Sequence, residues 1–518
     1  MKLKRIIYAT SLAALMLGMG SCKKDKFDIN ANPDDVTDVS VTPQVLLPAA
    51  QVVTSDIVAT NFTTLQMWMG FWARSGSYQS LTEIETYKFG RDFESQIWTN
   101  LYANANNYQI MINKSKADGA AFYEGVGRIM KAHNFGILVD IYNNVPYFEA
   151  FRGTAEPTPA YDKGVDIYND LFKQLDTAIT LLKSPAAADA SLNPEKSTSD
   201  LVYAGDPTAW VRFANTLRLR LLIHLHNGIN STQVAPGVDV AAQVAKFTTE
   251  GFIGAGQSAH LNPGFSGAKP QPFYRRYNTN EAGTGSQRDH VRANDYAIRY
   301  YTYNADPRLA RFYVAGASGQ KGIKFGQASG DQTLIGSNLS TVRAPGYSPN
   351  GASSRAWILT SVESLFLQAE AIQRGIAIPG AGTPADALRA AVRESFVWLG
   401  LTSAQADTYI STNAGYEDVD ITAPGGGLFT ILSQKWFALN GIAPYELYTD
   451  YRRTDYVLGD TPNIGFTAGP PLSIDPNRAS RIPRRLFYPQ NEYNYNTENV
   501  TAQGDINVTT GRIFWDLN

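Results

Sequence analysis

Residues 122–141 read FYEGVGRIMKAHNFGILVDI, and within them Phe122, Val126, Ile129, His133, Ile137 and Ile141 recur at steps of three and four. That spacing lays an apolar stripe along one face of an α-helix. The same period precedes it in Ile97, Leu101, Ala105, Tyr108 and Ile112. It follows in Val165, Tyr168, Leu171, Leu175, Ile179 and Leu182, and in Trp210, Phe213, Leu217, Leu221 and Leu225. A second set comprises Ile358, Val362, Leu365, Ala369 and Ile372, then Leu388, Val392, Phe396 and Leu399, then Leu428, Leu432, Trp436 and Leu439. At least seven amphipathic helices joined by connections of varied length predict a mainly α fold, a degenerate helical-repeat scaffold of paired helices.

Between the two sets, residues 251–350 are rich in Gly, Pro, Asn, Ser and Tyr, with only brief helical patches such as Asn294 to Tyr303. Long irregular insertions of this kind carry function more often than packing. The last 60 or so residues are similarly irregular, with short alternations at Ile506–Val508 and Arg512–Phe514 that predict minor strands. No linker inside residues 41–518 reads as flexible, so that span is expected to be a single domain.

The N-terminus is different in kind. Lys2, Lys4 and Arg5 precede an apolar run from Ile6 to Leu17, then Gly18, Met19, Gly20, Ser21 and Cys22. The run is too short to span a bilayer, and the small residues suit signal-peptide cleavage. Residues 1–21 resemble a lipoprotein signal, which implies Cys22 as the lipidated first residue after cleavage. Residues 22–40 then form a polar tether, with Asn30, Asn32, Pro33, Asp34 and Asp35. No second segment is expected to reach transmembrane length.

Of 518 residues, 44% are hydrophobic and 18% charged, with 45 Lys and Arg against 47 Asp and Glu. No basic surplus for nucleic acid exists. A single Cys excludes a disulfide framework and any multi-cysteine metal site. The five histidines are scattered; His133 sits in an apolar stripe and reads as a core histidine, while His224 and His226 point to different helix faces. Gly425, Gly426 and Gly427 read as a flexible loop, and no phosphate-cradling or nucleophile-elbow motif occurs. No cofactor or metal is expected. Paired carboxylates could in principle hydrolyse a glycoside. Glu83 with Glu85 reads as a solvent-facing pair at a turn or strand, and Glu363 with Glu370 as a pair on one helix face, with Arg374 four residues beyond Glu370.

Five segments, in order, resemble the SusD/RagB family of outer-membrane lipoproteins of Bacteroidota, in its second SusD-like branch. They are Ala132–Ala150 (AHNFGILVDIYNNVPYFEA), Pro207–Leu225 (PTAWVRFANTLRLRLLIHL), Glu363–Arg374 (ESLFLQAEAIQR), Gln434–Tyr456 with Lys435, Trp436, Tyr451, Arg452 and Arg453, and Arg481–Asn494 (RIPRRLFYPQNEYN). The resemblance implies a TPR-like scaffold whose loops bind a nutrient, closing as a lid over a TonB-dependent barrel transporter of the SusC type. It implies a non-enzymatic protein, a glycan ligand, lipid anchorage to the outer membrane and exposure to the cell exterior. Lys23, Lys24, Asp25 and Lys26 depart from the acidic cluster that surface-exposed relatives carry after the lipidated cysteine. Some relatives bind peptides instead, and a ligand-free scaffolding lipoprotein is a reading from a different class. The motif residues should be structural: Trp210, Trp436 and Phe366 in the core, Arg484 and Arg485 on buried carboxylates or helix ends.

Sugar rings stack on flat aromatic surfaces rimmed by polar groups. Two segments combine these. Asn61–Tyr87 holds Trp68, Trp72, Arg74 and Tyr78, and the insertion holds Phe273, Tyr274, Arg275 and Tyr277. Leu65, Trp68 and Trp72 also fit a helical face, which leaves core packing and ligand contact both open for Trp68. Trp72 and Tyr78 lie where that period gives way to Ser75, Gly76 and Ser77. The expected ligand contacts are therefore Trp68, Trp72, Arg74, Tyr78, Tyr274 and Tyr277.

Overall fold

In a computed structural model, the residues described are 41–229, 232–262, 264–284, 287–343, 351–454 and 470–518. The signal segment, Cys22 and the tether lie outside them. Shorter turns aside, the first set of helices is α1 (Pro43–Thr60), α2 (Thr63–Trp68), α3 (Ser95–Asp118), α4 (Ala121–Tyr142), α5 (Gly164–Leu182) and α6 (Pro207–His224). Helix α4, the opening stretch, is buried along almost its whole length because α3 packs on one side and α5 on the other. Its glycines allow the approach: a Cβ on Gly127 would stand 2.9 Å from Ile112 and Met111, and one on Gly125 2.8 Å from Leu182. Helix α5 buries Ile167, Tyr168, Leu171, Phe172, Leu175, Ala178, Ile179 and Leu182, the expected stripe. Asp206 caps α6 by accepting from the Thr208 N–H, and Pro207 occupies the first turn, where its missing donor costs nothing.

The insertion contributes α7 (Pro272–Tyr277) and α8 (Asp295–Tyr303), capped by Asn294. The second set is α9 (Ser361–Gln373), α10 (Pro384–Trp398), α11 (Ser403–Thr412), α12 (Leu428–Ala438) and α13 (Pro444–Thr454). Packing runs α3 on α4 on α5 on α6 on α9 on α10 on α11, with α12 laid on α9. Residues Pro43–Asn518 form one compact unit. The fold is mainly α, with one four-stranded and one two-stranded sheet among the described residues.

Several expectations need correction. Ile358 belongs not to α9 but to a strand, Trp357–Leu359, because Thr360 caps the helix by accepting from the Glu363 N–H at 3.1 Å. Residues 506–508 and 512–514 form turns and irregular backbone, not strands. Trp436 and the Arg452–Arg453 pair, which the family resemblance implies on one late helix, lie on two, broken where Gly441 takes φ +74° and Pro444 begins the next. Pro43–Trp68 is long and apolar enough to have passed as a membrane span, yet 56% of its most apolar window is buried in the protein. Glu83 and Glu85 lie in a short helix, Thr82–Thr86, where Glu85 is buried against Arg74 at 2.9 Å.

The family motifs converge on a buried ionic seam. Arg220 donates from Nε to Glu363 at 2.7 Å; Arg453 grips both oxygens of Glu370 at 2.7 Å; Lys435 Nζ reaches Glu446 at 2.7 Å and Asp450 at 2.9 Å. His224 bridges Glu446 at 2.9 Å and Asp140 at 3.0 Å. Desolvation opposes its charge, but the two carboxylates outweigh it and raise His224 to about 9. Glu363 and Glu370 are thus walled in by guanidinium groups and cannot reach a substrate. Trp210, Trp436 and Phe366 are core. Arg484 pairs with buried Asp516, and Arg485 donates to the Tyr142 carbonyl at the end of α4. His133 is buried in the core, with Nδ1 3.3 Å from Asn134 Oδ1; desolvation and Arg220 push it down to about 3.

Candidate ligand-binding site

The four-stranded antiparallel sheet draws two distant stretches together. Its strands are β1 (Trp72–Arg74), β2 (Val291–Ala293), β3 (Tyr313–Val314) and β4 (Thr341–Val342), in the order β1-β2-β4-β3. Trp72 lies opposite Ala293, and Arg74 opposite Val291. At the end of β1 the chain turns through Ser75–Tyr78. The Ser75 N–H donates to the His290 carbonyl at 2.7 Å, and Ser77 Oγ accepts from the Gly336 N–H at 2.9 Å. A Cβ on Gly76 would sit 2.3 Å from the Leu334 carbonyl oxygen, so only glycine lets these loops meet. Arg74 holds the turn from beneath: it binds Glu85, the Ser75 carbonyl at 3.0 Å, and the carbonyls of Tyr78 and Gln327. Half-buried Tyr78 then stacks on exposed His290, ring centroids 3.7 Å apart and planes 28° off parallel.

Helix α7 supplies the second part. Gln271 caps it, accepting from the Phe273 N–H at 2.9 Å. Phe273 and Tyr277 face inward onto Trp72, at 6.0 and 4.9 Å between centroids, which leaves half-buried Tyr274 and exposed Arg275 on the other side. A cavity of about 290 Å³ opens there, lined by Asp56 and Thr60 of α1, by Arg275 and Arg276 of α7, and by Asn280 and Glu281 beyond it. Arg275 Nη2 stands 3.0 Å from Asp56 Oδ1. Burial pushes the Asp56 carboxyl up, against the opposing pull of Arg275 and Arg276. Arg276 Nε is buried with no hydrogen-bond partner among the described residues. Guanidinium donors, carboxylates and an amide are groups that bind vicinal hydroxyls.

Of the six expected contacts, four are corrected. Trp68, Trp72, Arg74 and Tyr277 are exposed by 3% or less and act in packing: Trp68 lies among Tyr87, Phe89, Phe93 and Tyr448, and Tyr277 bonds Thr63. Tyr78 and Tyr274 remain at the surface. Sequence reasoning missed Asp56, Thr60, Arg276, Asn280 and Glu281. One signal was present, because Asp56 is the only charged residue in the 18 residues of α1.

The result is a paired-helix scaffold carrying a polar loop cavity. A family model named SusD-like and described as "Starch-binding associating with outer membrane" matches residues 33–489. The chain therefore belongs to the SusD-like family, carbohydrate- and nutrient-binding proteins associated with the outer membrane. Among solved structures it is similar to a chitin-binding SusD homologue from Flavobacterium johnsoniae, with 23% identity, 91% of this chain and 98% of that one covered, and a TM-score of 0.69. It is similar to a protein described as chitin-binding, with 24% identity, 92% and 100% covered, and a TM-score of 0.70. A SusD/RagB family protein from Bacteroides thetaiotaomicron matches at 19% identity, 92% and 100% covered, with a TM-score of 0.71. No curated protein matches the chain.

Proposed function

We infer that this protein binds a neutral oligosaccharide at the α7 cavity and delivers it, as a lid, to a SusC-type TonB-dependent barrel. The observation that carries the reading is the Arg275–Asp56 pair at a polar cavity, with half-buried Tyr274 the residue before Arg275 on α7. Membership of the SusD-like family and the chitin-binding descriptions of two similar structures support the ligand class. Tyr274 is the stacking surface, Arg275 and Asp56 the hydroxyl partners, and Tyr78 on His290 a second aromatic platform at the neighbouring loop. Replacing Tyr274 or Arg275 by Ala should weaken the ligand by about 2 kcal/mol, roughly thirtyfold, with an unchanged melting temperature. Calorimetry on the two variants checks this; full affinity in both would remove the assignment. The ligand should be returned intact after incubation, since the role is binding without hydrolysis.

The remainder of the reading concerns the membrane. Cys22 carries lipid and holds the protein at the outer membrane, facing the exterior. Changing Cys22→Ala should move the protein from the membrane to the soluble fraction, and intact mass of the native form should include acyl chains. A membrane-bound Cys22→Ala form, or a native form without acyl mass, would contradict anchorage. Purification in mild detergent should bring down a TonB-dependent barrel, through an interface above the ~1,600 Å² of an ordinary complex.

A further inference from the structure

A second cavity, of about 360 Å³, lies between the end of α8 and α11. Its wall combines the polar groups of Asn304, Gln405, Thr408, Thr412 and Asn413 with a larger apolar surface from Tyr409, a proline and two alanines, and it contains no charged side chain. Asn304 is 1% exposed; its Nδ2 donates to Asp418 at 2.6 Å, while its Oδ1 is buried with no hydrogen-bond partner among the described residues. Asn413 is itself fixed, donating to the Asn304 carbonyl at 3.0 Å and the Tyr409 carbonyl at 2.8 Å, so the wall is rigid.

The chain on either side of this wall presents aromatic rings to solvent. Tyr303 precedes Asn304, and Tyr416 follows Asn413 by three residues; they pack edge to face at 5.7 Å yet remain 41% and 45% exposed. Two large rings held outward by one another, beside amides and hydroxyls with no net charge, match the face and the edge of a pyranose. An anion or a cation would find no counter-charge among the wall residues, and an apolar ligand would strand the amides. We propose that the Tyr303–Tyr416 pair and the adjoining α8–α11 cavity form a second binding subsite for a neutral oligosaccharide, separate from the one on α7. It takes from the proposed function only the class of ligand. Two subsites on one chain would let it hold a long glycan at two points, multiplying the affinity for polymers over short oligomers.

The test uses the full chain with two probes, maltohexaose and chitohexaose, read by hydrogen–deuterium exchange and calorimetry. Protection is expected in residues 303–307 and 403–416, persisting in a Tyr274→Ala/Arg275→Ala double variant. It should vanish in Tyr303→Ala/Tyr416→Ala, with at least a tenfold loss of affinity for that event. Both tyrosines are exposed, so the fold should survive, and a melt confirms it. Protection confined to residues 272–290 and insensitive to Tyr303→Ala/Tyr416→Ala would overturn the second subsite and leave the first intact. Protection at residues 303–307 and 403–416 alone would do the reverse. No protection by either sugar at either place would overturn both.

Discussion

Glu370→Ala should lower the stability of the folded protein by about 3–5 kcal/mol, among the largest losses any single substitution here can cause. Arg453 is fully buried, and both of its terminal nitrogens bind Glu370 at 2.7 Å. Burial opposes the Glu370 charge, but Arg453 and Arg374 outweigh it and hold the carboxyl well below the ordinary range. Removing the carboxylate leaves Arg453 with Asp450 and the His226 carbonyl, and Arg374 with the Gly228 carbonyl in place of its carboxylate at 2.8 Å. Denaturant titration of Glu370→Ala and Glu370→Gln measures the cost, with Gln the milder because it keeps the volume and one acceptor. A loss below about 1 kcal/mol for Ala would mean that the seam is not a structural element.

Stability should also fall as pH rises from about 6 to 9.5, by up to about 3 kcal/mol, through His224. Its folded value, near 9, lies above the ordinary 6.5. A raised value means that the contribution is fully present below pH 6.5 and is lost as pH climbs through 9. Above that window buried tyrosines such as Tyr108, pushed up by desolvation, add their own alkaline loss. On the acid side Glu370 and Glu446 are depressed, so their contributions are present above the usual glutamate range and lost well below it. Urea midpoints at pH 6, 7.5 and 9 should decline in that order. A flat profile would contradict a protonated His224 between Asp140 and Glu446.

The helices were legible because their signal is local: a stripe such as Ile167 to Leu182 needs no partner to be recognised. The family motifs were legible as structure through the resemblance, which implied buried carboxylates or helix ends for Arg484 and Arg485, and Asp516 and the Tyr142 carbonyl are those partners. What failed was everything set by distant pairing. Trp72 ends an apolar period in the sequence, but in the fold it lies in a strand opposite Ala293, under Phe273 and Tyr277. Arg74 reads as a ligand contact until Glu85 and three loop carbonyls occupy it. Asp56 sits in a helix that shows little amphipathic contrast, and only the arrival of Arg275 from more than 200 residues away turns it into part of a site. Spacing along a chain says which face a residue shares, and long-range contacts decide whether that face meets protein or solvent.

The nature of the ligand is tested most directly by isothermal titration of the protein against matched sets of starch-derived and chitin-derived oligosaccharides and of short peptides. Saturable binding of at least one oligosaccharide is expected, with no heat from the peptides and with binding at the α7 cavity weakened about thirtyfold in Tyr274→Ala and in Arg275→Ala. Binding of peptides alone, or glycan binding that both variants retain in full, would contradict a carbohydrate site at the α7 cavity.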